Sequence, residues 1–275
     1  MNGLEVFMSH PAVQAAVAPF AVALVVALVL RGAWQVLALG AALFVTALLS
    51  VGFSLESLTA TRKLVLLAVV GAVLWPAVGW QFHDKRGVRR GVLGLFGAAA
   101  VLWMLERLLL QMPLAKGLAL ALASIGFLLA MLISAGRIPG DPVRSAVAAT
   151  WLGLGAGVLA VLGSSAVLGL LGIAVGAAAA AVLLVRLTRN SGAAADTASW
   201  VAEVAALAAG LIVLLATFVG DLSWWALLPL VGVPWILHWP ILERDAPPWR
   251  RGAVAAVIAG IPVIAAGALA WVTAQ

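Results

Sequence analysis

Few ionisable side chains interrupt the long apolar stretches of this 275-residue chain, and these few are the ones that could do chemistry. Glu203 lies in SWVAEVAALAAG, and Glu106 and Arg107 lie in VLWMLERLLLQMP. His238 lies in PWILHWPILER. Charged groups inside apolar helices are costly and tend to mark ion or solute pathways. Glu203 could bind a proton or a cationic solute, and His238 could titrate near neutral pH.

Glu203 and His238 also have structural explanations. The Glu203 carboxylate could pair with Arg186 or Arg189 across the short connection before its segment, or it could snorkel to the interface. A single histidine near the end of an apolar segment is usually an interfacial side chain without a ligand. Both explanations stay open at the level of sequence.

Glu106 and Arg107 are adjacent, so on a helix they point about 100° apart and need different partners. Arg107 follows Trp103 by four residues and could stack on its ring. Glu106 could face the other helices and accept a proton or a hydrogen bond. Because their helix ends about one turn later, both side chains could instead snorkel to the interface.

Prolines inside apolar segments free backbone carbonyls and can create broken helices that line solute sites. The segment WWALLPLVGVPWILHWP is the most interrupted, because Gly232 lies between its inner prolines Pro229 and Pro234. We predict that this segment is mobile or lines a cavity, and Pro234 is a candidate site residue. Proline also occurs in spans without any such role.

The chain lacks the patterns that accompany metal, cofactor or catalytic chemistry. It has no cysteine, and its three histidines show no metal-ligand spacing. Walker A, dinucleotide-binding, GxSxG and paired-carboxylate patterns are also missing. We therefore predict no metal, no cofactor and no enzymatic activity; for an enzyme acting on lipid, neither a nucleophile nor a base can be named.

The elements that must position these residues are apolar segments of membrane-spanning length. Residues are 65% hydrophobic and only 9% charged, which is more apolar surface than a water-soluble domain can bury. Crossing a bilayer takes roughly 20 apolar residues, so residues 1–275 are predicted to form one all-α polytopic transmembrane bundle of about ten spans. The segments lie near 11–30, 34–54, 64–80, 91–111, 118–136, 145–163, 166–185, 199–219, 223–241 and 252–273.

The basic residues predict how this bundle is oriented. Lysine and arginine in short loops stay on the cytoplasmic side. With both termini outside a bacterial inner membrane, only Arg62, Lys63, Arg107 and Lys116 face outward. The other twelve basic residues then lie inside: Arg31, Lys85, Arg86, Arg89, Arg90, Arg137, Arg144, Arg186, Arg189, Arg244, Arg250 and Arg251. This topology accounts for the net charge of +6, so no nucleic-acid partner is predicted.

Ten segments divide into halves 1–140 and 141–275 with similar loop spacing. Because five is odd, the halves would be inverted relative to each other, as in many secondary transporters. Any ten evenly spaced helices can be divided this way, so chance explains the pattern equally well. In helix number and length the layout resembles the drug/metabolite transporter superfamily, although the outside N-terminus departs from it, and we assign no family.

Two further features predict partners. The loop QFHDKRGVRR could hold anionic lipid headgroups through Lys85, Arg86, Arg89 and Arg90, although charge-based topology also explains these residues. Small-residue spacings allow close helix packing or a homodimer face. They are formed by Gly153 with Gly157 and by Gly172 with Gly176.

These features favour a permease or transporter-like protein for a small solute, with its cavity bounded by the fourth, eighth and ninth segments. The alternative is a non-catalytic scaffold or a subunit of a larger membrane complex. A second acid facing Glu203 would favour transport. A continuous small-residue stripe facing lipid would favour the scaffold.

Overall fold

The fold is an all-α bundle, as its composition predicts. The computed structural model describes residues 10–50, 52, 58–82, 85–138, 140–189, 197–239 and 246–273. The ten α-helices within these ranges are α1 (Ala18–Val29), α2 (Leu37–Ser50), α3 (Ala60–Gln81), α4 (Arg86–Leu110), α5 (Leu114–Ala135), α6 (Pro142–Leu162), α7 (Ala166–Thr188), α8 (Trp200–Val219), α9 (Leu228–Ile236) and α10 (Pro248–Thr273).

Eight helices of the described ranges are long and apolar enough to cross a membrane. One of them is α2, which reaches this length through the 3₁₀ turn Gly32–Val36 before it. The two shorter apolar helices are Val13–Val29, which includes α1, and Trp224–Ile236, which includes α9. At about 1.5 Å per residue they span about 26 and 20 Å, less than a bilayer core of about 30 Å. The chain is thus a multi-pass membrane protein, and ten full crossings stay a prediction.

The ninth segment forms the shortest α-helix of the described ranges, but this helix continues through the prolines that were predicted to interrupt it. It begins with the 3₁₀ turn Trp224–Leu227, and the short α9 follows. Pro229 lies in the first turn of α9, where a missing backbone N–H breaks no hydrogen bond. Pro76 and Pro262 also lie inside helices, but α3 and α10 continue through them. None of the prolines inside α3, α9 and α10 therefore ends its helix.

The centre of the bundle is α8. Its residues are buried from Trp200 through Ala216, because α3, α5, α6 and α7 all pack against it. A helix that is apolar on every side is stable only when other helices surround it. Glu203 is the one charged residue of this helix. The packing therefore carries a carboxylate into the interior of the protein.

Helices α6 and α7 approach so closely that their backbones touch. A Cβ atom at Gly153 would lie 2.7 Å from the Cα of Gly176, and Gly157 and Gly172 face each other in the same way. Only glycine allows this separation. The predicted small-residue spacings therefore serve packing inside the chain, and a homodimer stays an untested prediction.

One end of the bundle, here called the basic end, gathers most of the arginines. There α1, α3, α5, α7 and α9 end and the even-numbered helices begin. Arg189 Nη1 donates to the Leu28 carbonyl at 2.8 Å, and Arg186 Nη1 donates to the Pro142 carbonyl at 2.7 Å. Arg251 Nη1 lies 2.8 Å from Asp141 Oδ2. These contacts tie helices from both halves of the chain together at this end.

Candidate functional site

The Glu203 carboxylate lies in the first turn of α8 and is only 5% exposed. The indole Nε1 of Trp75 donates to its Oε2 at 2.8 Å. The hydroxyl of Ser199 donates to its Oε1 at 2.8 Å. Both donors are neutral, and none of the salt bridges among the described residues includes Glu203. Helix position and hydrogen bonds, without a cation, hold this carboxylate.

Pairing of Glu203 with Arg186 or Arg189, one of the explanations that the sequence left open, does not occur in the structure. Arg186 is buried and donates from Nε to the Gln35 side chain at 3.2 Å, besides its bond to Pro142. Arg189 reaches across to the end of α1. These arginines therefore bind helix ends and a neutral amide.

A cavity of about 360 Å³ opens beside Glu203, between α4, α5 and α8. Glu203 and Trp75 form part of its wall, and Arg90 and Arg137 also line it. Both arginines are exposed, so they lie where the cavity meets the surface at the basic end. Gly136 leaves room at the carboxylate, because a Cβ there would lie 3.3 Å from Oε1. The cavity therefore has cationic groups at its mouth and a buried anionic group in its wall.

The fourth and eighth segments line this cavity, as expected, but the ninth does not. The fifth helix takes its place, through residues such as Leu132. The ninth segment instead lines an apolar groove of about 710 Å³ together with α5, and Gly232 and Phe127 are part of its wall. Pro234 is buried within α9. His238 is exposed and does not line the cavity, and its Nδ1 lies 2.7 Å from the backbone carbonyl of Arg137, a residue that does.

Glu106 and Arg107 lie at the other end of the bundle. Glu106 is sixteen residues beyond Arg90 on α4, a distance of about 24 Å. Both side chains are exposed, and Glu106 Oε2 lies 3.3 Å from Lys63 Nζ. Lys63 also donates to the Trp103 carbonyl at 2.9 Å and lies 5.2 Å from that ring's centroid. Lys63 therefore occupies the position over Trp103 that was expected for Arg107.

Of the residues predicted for a site, Glu203 and His238 thus lie at the basic end of the bundle. Glu106 and Arg107 lie at the opposite end. Trp75, the partner that sequence reasoning missed, is 128 positions from Glu203. No local spacing signals a contact at that separation. The only available signal was its position deep inside an apolar segment.

Neither a metal-binding cluster nor a known relative points to this site. Within the described ranges, no three His, Asp or Glu side chains are grouped so that they could hold a metal ion. No protein-family model, curated protein or solved structure matches the chain.

Proposed function

We propose that this multi-pass membrane protein is a permease or transporter-like protein in which Glu203 binds a proton or the cationic group of a small solute. The observation that supports it is a buried carboxylate that has only neutral partners and faces a cavity. Buried charges in proteins are normally paired, because losing water costs several kcal/mol, roughly, per ion. A charge that faces a cavity inside apolar helices tends to mark function.

The cavity lining supports a class of solute. Arg90 and Arg137 at the mouth attract an anionic group, whereas Glu203 attracts a cationic one. Its volume of about 360 Å³ suits a small molecule. We therefore propose a zwitterionic solute, such as one that carries both an amine and a carboxylate.

The alternative proposal is a non-catalytic scaffold or a subunit of a larger complex. It is supported by the burial of α8 from Trp200 through Ala216, because a helix that is surrounded by other helices stabilises a bundle without any further role. Transport would require the halves 1–140 and 141–275 to move relative to each other. The inverted arrangement of these halves is part of the transport proposal.

The residues that line the cavity include no acid besides Glu203, so the second acid that would favour transport is not among them. The closely spaced glycines of α6 and α7 face each other, so they do not form the lipid-facing stripe of small residues that would favour the scaffold.

We further propose that the basic end faces the cytoplasm of a bacterial inner membrane, with both termini outside, and that the protein is not an enzyme. Lysine and arginine are retained on that side. The loop before α4 would then face anionic lipid headgroups through Lys85, Arg86, Arg89 and Arg90. The Arg86 side chain lies outside the described residues.

Cysteine labelling tests whether water fills the Glu203 cavity, and the natural absence of cysteine makes the background clean. Gly91→Cys and Leu132→Cys place thiols on the cavity wall. Ala208→Cys, fully buried on α8, and Leu122→Cys, on an exposed apolar face, are the controls. A membrane-impermeant thiol reagent added from the basic end should modify the first two thiols and spare the controls.

A dependence on solute separates the two proposals. Zwitterionic amino acids should protect Leu132→Cys from the reagent if they enter the cavity, and Glu203→Gln should abolish this protection. If Leu132→Cys reacts no faster than Ala208→Cys, the cavity is dry, and the scaffold proposal replaces transport.

A further inference from the structure

A second cavity at the basic end lies on the other side of the first turn of α4. Its volume is about 600 Å³, and its lining includes Trp34, Gly79, Trp80, Arg89, Thr197 and Trp200. None of these residues lines the Glu203 cavity. Arg89 and Arg90 are adjacent on a helix and so point about 100° apart, which places one in each cavity.

Two buried donors in this second cavity lack an acceptor. Arg89 is 8% exposed and Trp200 is 4% exposed. The Arg89 Nε and the Trp200 Nε1 are both buried, and neither has a hydrogen-bond partner. More than nine in ten buried polar groups, roughly, are hydrogen-bonded in proteins. Two unpaired donors on side chains that line the same cavity therefore point to an acceptor that enters this cavity from outside the chain.

Packing holds both donors in place. The Arg89 guanidinium carbon lies 5.6 Å from the centroid of the Trp200 ring, so the cation lies over the indole. The Trp200 ring lies against Gly79 and leaves no space for a Cβ atom there. A glycine at this position of α3 is thus what allows the indole to reach the cavity. The donors are positioned before any ligand arrives.

We infer that this cavity binds a phosphate group, carried by the headgroup of an anionic phospholipid. A guanidinium and an indole N–H can only donate, and a phosphate offers acceptors in the geometry that arginine binds best. Trp34 and Trp80 are exposed beside the donors, as tryptophans at the headgroup level of a bilayer are. This inference does not depend on Glu203 or on transport.

The test measures lipid binding to the purified protein in a neutral detergent. Dioleoylphosphatidylglycerol is titrated against dioleoylglycerol, which has the same acyl chains and no phosphate, and bound lipid is counted by native mass spectrometry. Trp200→Phe removes the N–H and keeps a ring. Arg89→Gln removes the charge, and Arg250→Gln removes a charge from the exposed start of α10 as the matched control.

We expect phosphatidylglycerol to bind and dioleoylglycerol not to bind. Trp200→Phe and Arg89→Gln should each weaken phosphatidylglycerol binding about tenfold or more, as the loss of a charge-assisted or buried hydrogen bond does. Arg250→Gln should change it less than about twofold, since it lies away from the site. Elution of each variant as a monodisperse peak shows that it is folded.

Inorganic phosphate distinguishes the source of the anion. If delipidated protein binds phosphate with the same dependence on Arg89 and Trp200, while phosphatidylglycerol does not bind, the phosphate site is supported and the lipid is replaced by a soluble phosphate compound. Equal binding of both lipids overturns the inference. So does unchanged phosphatidylglycerol binding in both variants.

Discussion

The two sides of α8 are packed very differently, although both use glycine. On one side, α6 and α7 touch through their backbones at Gly157 and Gly172. On the other side, the Glu203 cavity lies between α4, α5 and α8, and a Cβ at Gly91 on its wall would meet nothing within 4 Å. Glycine thus closes the α6–α7 interface, whereas at Gly91 it borders open space. The Glu203 carboxylate of α8 lies in the wall of this cavity.

The largest effect should come from filling the closed interface. A Cβ at Gly157 would lie 2.9 Å from the backbone nitrogen of Ile173, so Gly157→Val must push α6 and α7 apart. We expect a loss of about 3 kcal/mol or more in the free energy of unfolding. Gly126→Val, at an exposed position of α5 where a Cβ meets nothing within 4 Å, should change it by less than about 0.5 kcal/mol. Unfolding in a denaturing detergent measures both, and equal losses would contradict the comparison.

The next largest effect concerns the indole that holds Glu203. Trp75→Phe leaves the buried carboxylate without one of its two donors, and a hydrogen bond to a charged group contributes about 1.5 to 3 kcal/mol. Trp200→Phe is the matched control, because Trp200 is also buried but its Nε1 has no hydrogen-bond partner. Thermal unfolding should show a clearly larger loss for Trp75→Phe. Similar losses would mean that ring volume, and not the hydrogen bond, stabilises the site.

A smaller effect is expected at Asp141, which is the N-cap residue of α6. Its carboxylate accepts from the Val143 backbone N–H at 2.9 Å and pairs with Arg251 of α10. Asp141→Ala removes the cap and the ion pair, so we expect a loss of about 1 to 2 kcal/mol. Asp141→Asn can still cap the helix and should lose about half of that. An alanine variant as stable as the asparagine variant would show that the cap contributes nothing.

The smallest effects should come from the charges at the opposite end. Glu106→Gln breaks a half-exposed ion pair with Lys63, which contributes about 1 kcal/mol at most. Arg107→Gln alters an exposed side chain, so its effect should be close to zero. Neither variant should change labelling of the Glu203 cavity. A change in that labelling would show that the two ends of the bundle are coupled.

The helices themselves follow from the apolar runs and from the residues that break them. Residues 166–185 and 199–219 were predicted as segments, and α7 (Ala166–Thr188) and α8 (Trp200–Val219) occupy them. Charges, glycines and prolines between the runs end each helix because they cannot remain in lipid or cannot continue the backbone. The ninth segment was predicted at 223–241, but its α-helical part is only Leu228–Ile236. The sequence predicted the position of this helix better than its length. Residues in a 3₁₀ turn and residues in an α-helix have similar composition, so the sequence does not show where one changes into the other.

By itself, the sequence determined that the chain is a helical membrane bundle, roughly where each helix lies, and that Glu203 is an unusual residue. These properties depend on the transfer of local stretches from water to lipid, which neighbouring residues alone decide. Only the tertiary structure decided that Glu203 binds Trp75 while Glu106 binds Lys63, and which glycines close an interface. Such contacts join residues far apart in the chain, so they depend on which helix faces meet, and local composition does not specify that.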